Sequence, residues 1–181
     1  MTTTEAGPLR SFHGDEAVKK QFLDRVHEHR DADRLVQGYG YWSDGKGCAV
    51  GCTLELNDHE NGLHRQYENQ LGLPEWLAHL EDHLFENLPV EAAREWPVQF
   101  LSAIPVGVSE RSFEILRDRF QIFWLERQKT QIECDRFPEV VEVIDDKKLG
   151  LTARLSRGPS TDEAAVQAVL AAHTRPWQWI D

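Results

Sequence analysis

Apolar residues recur at helical spacing over most of the chain, and breakers fall between the stripes. Val18, Phe22 and Val26 are four apart with His29 on the same face, and Gly14-Asp15 ahead of them supplies an N-cap and a first-turn acid. This predicts a helix from about Asp15 that ends before Gly38, with His29 as a core histidine holding one hydrogen bond. Cys48 to Leu56 predicts a short helix, Asn57 to Gly62 a polar turn, and Leu63 to Leu71 a third helix closed by Gly72. Pro74 opens the next at its first position. Leu73, Trp76, Leu77, Leu80, Leu84 and Leu88 form its stripe, and Pro89 closes it.

Val90 to Ile104 reads as a further helix with Pro97 inside, which predicts a break or kink near Trp96. After the turn Ile104-Pro105-Val106-Gly107, Ser109 and Ser112 offer capping for the longest helix, Glu110 to Ile132. Phe113, Leu116, Phe120, Phe123 and Trp124 make one broad stripe, while Ile115 and Ile122 lie nearly opposite. Apolar on two sides, this helix is expected to be central. Phe137 to Asp145 fits a short helix or an edge strand and Leu149 to Leu155 alternates weakly, so 137–156 leaves room for an irregular or β segment. Beyond Gly158-Pro159-Ser160, a last helix is expected from Ser160 or Thr161 through Ala164, Val166, Val169, Leu170 and His173. The aromatic end Pro176-Trp177-Gln178-Trp179-Ile180 is expected to dock on the body. Residues 1–12 lack periodicity and are expected to fray. The fold class is all-α, a single-domain bundle of about six to eight helices with the small 48–56 helix packed deep.

Composition narrows the function classes. A length of 181 residues suits one domain with a real core, and 40% apolar with 28% charged residues is an ordinary globular balance. No stretch approaches the roughly 20 apolar residues of a membrane helix, and the start carries no signal-peptide-like run. Three cysteines without framework spacing fit reduced thiols, so a cytoplasmic protein is expected. The net charge of −11 repels phosphate backbones, and the basic residues are scattered among acids, which argues against a nucleic-acid partner.

The stretch Gly38 to Cys52 concentrates the unusual residues: five of the twelve glycines, two of the three cysteines, two of the three tyrosines and a tryptophan. Gly40 to Lys46 satisfies the spacing of a phosphate-binding loop, but Gly47 stands where Ser or Thr is needed, and Tyr41 and Trp42 crowd a loop that should offer bare amides. Asn57-x-His59-x-Asn61-Gly62 with Glu68 echoes a calcium loop without its charge. Cys48 and Cys52 are four apart, as are His64 and Glu68, which permits a zinc set with Cys134 or His13 as a further ligand. Alternatively Cys48, near a helix N-terminus and Lys46, is a nucleophile with His64 as base. Against both, free cysteine is most often a small buried apolar residue, and Gly47, Gly51, Cys48, Cys52, Ala49 and Thr53 make a thin helix that neighbouring helices can approach. His79 and His83 share a face with Glu75, Asp82 and Glu86 that reads as solvated.

Gly45-Lys-Gly-Cys-Ala-Val-Gly-Cys-Thr-Leu54, Leu71-Gly-Leu-Pro-Glu-Trp-Leu-Ala-His-Leu-Glu-Asp82 and Trp96-Pro-Val-Gln-Phe-Leu-Ser-Ala-Ile-Pro-Val-Gly107 resemble a group of bacterial proteins to which no activity, cofactor or substrate is attached. The resemblance spans about residues 12–107 and implies a bacterial, cytoplasmic or phage-borne origin. It carries over no site residue. The function expected from the sequence is non-enzymatic binding of a protein partner, as a regulator or inhibitor would act. The contact surface is the aromatic, flexible loop Gly38 to Gly47 with Tyr39, Tyr41, Trp42 and Lys46, residue types that dominate binding hot spots. No cofactor is required by this reading. The alternative is a thiol- or zinc-dependent site built from Cys48, Cys52, His64 and Glu68.

Overall fold

In the computed structural model, residues 8–56, 62–132 and 136–156 are described. They form seven α-helices: α1 Glu16–Asp31, α2 Ala49–Leu54, α3 Gln66–Leu71, α4 Glu75–Asn87, α5 Val90–Ala103, α6 Glu110–Gln131 and α7 Pro138–Leu155. Two-residue strands β1 Trp42–Ser43 and β2 Lys46–Gly47 pair antiparallel between α1 and α2. The all-α expectation holds, and the helix termini follow their punctuation. The Asp15 side chain accepts from the Ala17 amide, Ser109 caps α6 through the Ser112 amide, and Gly72 ends α3 in the left-handed region at φ 62°. None of the helices among the described residues is long and apolar enough to cross a membrane.

The core is one continuous cluster in which α1, α2, α4 and α5 meet around Val26, Val50, Leu54, Tyr67, Leu77, Phe85, Trp96, Phe100 and Leu101. Every residue of α2 is buried. α1 also supplies cations to the carbonyl ends of its neighbours: Lys19 Nζ donates to Ser102 O (3.0 Å) and Ile104 O (2.7 Å) at the end of α5, and Arg25 donates to Thr53 O (2.8 Å) at the end of α2.

Four expectations are corrected. Residues 8–12 are docked: Ser11 and Phe12 are fully buried, and the Ser11 hydroxyl donates to Pro105 O (2.6 Å) and accepts from the Val108 amide (2.8 Å). The segment crosses Gly72 so closely that a Cβ there would lie 2.0 Å from the Arg10 carbonyl. Secondly, α6 is not central. It buries Ser112, Phe113, Ile115, Leu116 and Asp118 in its first half, whereas Phe123 and Trp124 remain exposed, and its main partner is α7. Two apolar sides there serve the body first and α7 afterwards. Thirdly, of the break or kink expected at Pro97 there is no break, since α5 is continuous through it: its fixed φ suits a helix, and Trp96 anchors the turn before it, donating from Nε1 to Glu81 O at 3.0 Å. Finally, 138–155 is one helix, running back along α6 with Lys129 on Asp145 and Arg154 on Asp118, so the only strands among the described residues are those at 42–47. The turn expected at 57–62 lies outside the described residues except for Gly62, and the last helix and aromatic end lie wholly outside them.

Candidate functional site

The glycine-rich stretch is a short hairpin laid on α2. Its base is held by main-chain bonds from Val36 N to Gly47 O (2.9 Å), Gly47 N to Arg34 O (3.1 Å) and Cys48 N to Gly40 O (2.9 Å). The Gly38 amide donates to Glu86 at 2.7 Å, and the Gln37 amide group donates to the Phe85 and Leu88 carbonyls. The small residues of α2 do permit close approach, but what approaches is the hairpin backbone. A Cβ on Gly51 of α2 would lie 1.4 Å from the Tyr41 carbonyl oxygen, and one on Gly47, at the end of β2, 1.9 Å from it.

The loop expected to be flexible is therefore pinned, and its residues are sorted by side. Tyr39 is exposed (44%), as is Lys46. Tyr41 and Trp42 are half-buried and diverge. Trp42 meets the buried His29 at 4.8 Å between ring centroids, and Tyr41 stands edge-on to His64 at 5.5 Å. His29 Nε2 bonds Glu55 Oε1 at 3.0 Å, the single hydrogen bond its place on the stripe predicts, while Nδ1 has no partner. Burial lowers its pKa, against the pull of Glu55.

Cys48 and Cys52 do not share a helix face. Cys48 is the N-cap, its Sγ accepting from the Gly51 amide at 3.4 Å, while Cys52 sits inside α2 and donates to the Gly47 carbonyl at 3.4 Å. Burial pushes both thiols up, Cys52 to about 12 and Cys48 further, where the Asp82 carboxylate adds to the effect. Both are thus protonated at neutral pH, the opposite of an activated nucleophile. Glu68 accepts from the Glu75 amide at 3.4 Å, and the His13 ring lies 3.2 Å from the Asn69 carbonyl. Among the described residues no group of three or more His, Cys, Asp or Glu side chains is arranged to hold a metal ion, so Cys48, Cys52, His64 and Glu68 are not assembled as ligands. Cys134 lies outside the described residues.

What the residue pattern hides is a polar cluster under the hairpin. His64, in a 3-10 turn at Leu63–Arg65, stacks on the exposed His79 with centroids 3.9 Å apart and meets Asp82 Oδ2 at 3.3 Å. His79 also reaches Glu75 at 3.7 Å, so the face expected to be wholly solvated is partly turned inward at Asp82. Beneath it Glu81 is fully buried and accepts a hydrogen bond from the Tyr67 hydroxyl, while Glu81 Oε1 and Asp82 Oδ1 have no partner. Burial pushes the Glu81 carboxyl up to about 8 and the Tyr67 phenol well above its usual value. One signal was present: Glu81 is four from Leu77 and three from Leu84, a carboxyl placed on the apolar stripe. No family model, curated protein or solved structure matches the chain, so the meaning of this hairpin and the cluster beneath it rests on their own geometry.

Proposed function

We propose that the protein acts by binding a protein partner through the hairpin face, with Tyr39 and Lys46 making the outer contacts and Tyr41 and Trp42 forming its half-buried aromatic shoulders. The observation that carries this reading is that an exposed aromatic edge stands on a base held by backbone hydrogen bonds. Such a surface loses little conformational freedom on association, and tyrosine offers large contact area at low entropic cost. The raised thiols favour a binding role over a nucleophilic one. The acidic surface, net −11, speeds encounter with a basic partner and suits a regulator or inhibitor.

The test is site-dependent cross-linking. A photoreactive residue at position 39 or 46 should give one dominant adduct that the same probe at Gln21, on the outer face of α1, does not give. Tyr39→Ala with Lys46→Glu should weaken binding of that adduct protein by at least roughly tenfold while leaving the thermal transition in place. Equal adducts from position 21, or unchanged affinity in the double variant, would remove the hairpin as the contact surface.

A further inference from the structure

Glu81 is completely enclosed, yet only half of its carboxyl is satisfied: Oε2 receives the Tyr67 hydroxyl and Oε1 receives nothing. The groups facing it come from every neighbouring element. α2 contributes the Cys52 thiol and Thr53, which bonds the Tyr67 hydroxyl, and its N-cap Cys48 lies beside Tyr67 and Asp82; α3 contributes Tyr67; α5 contributes Trp96, whose ring nitrogen holds the Glu81 carbonyl. On α4 itself Asp82 follows, with His64 of the 3-10 turn against it. Among the described residues neither Glu81 nor Asp82 has a lysine or arginine ion-pair partner. An ionised Glu81 would therefore be a buried charge with one bare oxygen beside a second carboxylate, whereas a protonated one brings no charge into the enclosure and escapes the repulsion of Asp82.

We infer that Glu81 and Tyr67 form a protonated latch that fastens α3 and the 3-10 turn to α4, and that release of the Glu81 proton to solvent unfastens them. Tyr41 of the hairpin leans on His64, so opening the latch also loosens the hairpin face. That last consequence rests on the hairpin being the binding surface; the latch itself does not. In the closed form burial holds the carboxyl at about 8, and in an opened, hydrated form it returns toward its ordinary 4.5. Between those values closing takes up one proton, so opening becomes easier as pH rises and stops changing above them.

Native-state amide exchange reads this directly. After correction for the intrinsic pH dependence of exchange, protection of the 63–71 amides in the wild-type protein should fall by up to roughly tenfold per pH unit between about pH 5 and 8 and then level off. Glu81→Gln, which keeps the shape and cannot ionise, should show no such slope. A flat wild-type profile, or the same slope in Glu81→Gln, overturns the latch. If Glu81→Gln fails to fold, the infrared carbonyl band of a protonated carboxylic acid decides the matter in the wild-type protein at pH 6, where exposed carboxyls are ionised. Its presence, with loss by pH 9, supports the latch, and its absence overturns it. Neither measurement involves a partner, so failure of the hairpin variants to weaken binding would leave the latch standing.

Discussion

The carbonyl oxygen of Tyr41 occupies the space in which a side chain on Gly51 would begin: a Cβ at position 51 would sit 1.4 Å from it. Two effects oppose each other when Gly51 becomes alanine. Inside a helix alanine is favoured over glycine by about 1 kcal/mol. Here the added methyl meets backbone that is fixed by the bonds on Gly47 and Cys48, and overpacking of that kind costs about 1–3 kcal/mol or more. Steric conflict should win, so Gly51→Ala is expected to lower the melting temperature by several degrees. Gly150→Ala, in α7 with open space around it, should raise it slightly. Thermal unfolding of the two variants side by side separates packing from propensity.

Acid should weaken the fold through His29. Its pKa is lowered in the folded state, so below the ordinary 6.5 the unfolded chain binds the extra proton first. The stability owed to a neutral His29 is thus complete above 6.5 and is lost as pH falls from there through the lower folded value. Glu81 has the opposite slope over part of this range, because its folded pKa is raised. Denaturant unfolding in a Glu81→Gln background should show the His29 loss alone, and adding His29→Gln should flatten it.

Arg154 forks onto Asp118 with bonds of 2.8 and 2.7 Å, and Asp118 is nearly buried while the arginine is half exposed. Removing the arginine leaves a carboxylate in the packed half of α6 with, among the described residues, only Arg117 at 4.0 Å as a cationic neighbour. Solvent reaches the pair from the Arg154 side, so Arg154→Met should cost about 1–2 kcal/mol rather than the 3–5 of a fully enclosed pair. Arg154→Lys should not restore the loss, because an ammonium cannot match the two-pronged geometry. Loss of protection confined to α7 by amide exchange would be the accompanying sign.

Ser11→Ala removes one donor and one acceptor from a buried position and leaves the Val108 amide and the Pro105 carbonyl each short of a partner. A cost of about 1–3 kcal/mol is expected. If residues 8–12 merely trailed from the body, the substitution would be silent in a urea titration.

Helix boundaries were legible because the physics that ends a helix is local. Asp15, Gly72, Pro74, Pro89 and Ser109 act through bonds within a turn of their own position. Features that depend on distant partners left little trace. Phe12 and His13 turn with φ of 51° and 54°, which their residue types do not announce, and what offsets the turn is the burial of Phe12 and the bonds of Ser11 to Gly107 and Val108. The hairpin at 42–47 was hidden among glycines whose neighbours could not be foreseen. α6 shows the limit of periodicity, since a stripe records that a face is covered without saying which element covers it. Of the candidate site, the sequence marks Tyr41 and Trp42 as unusual residues of one loop and His64 as a histidine near Cys48, but not that Tyr41 leans on His64 while Trp42 turns the other way onto His29. Glu81 and Tyr67, which lie deepest, leave less trace, because periodicity puts Glu81 on the apolar stripe without showing that it is enclosed or that Tyr67 reaches it.

A six-residue helix does not persist in water by itself, since the entropy of starting it exceeds what so few bonds return. α2 is that short, and all of it lies inside. It can become stable only as α1, α4 and α5 converge on it, with Arg25 of α1 closing its far end. Folding should therefore consolidate around α2 late and all at once. A state that has lost α2 has a hole where α1, α4 and α5 face one another, and partly assembled forms of this bundle would be short-lived for that reason.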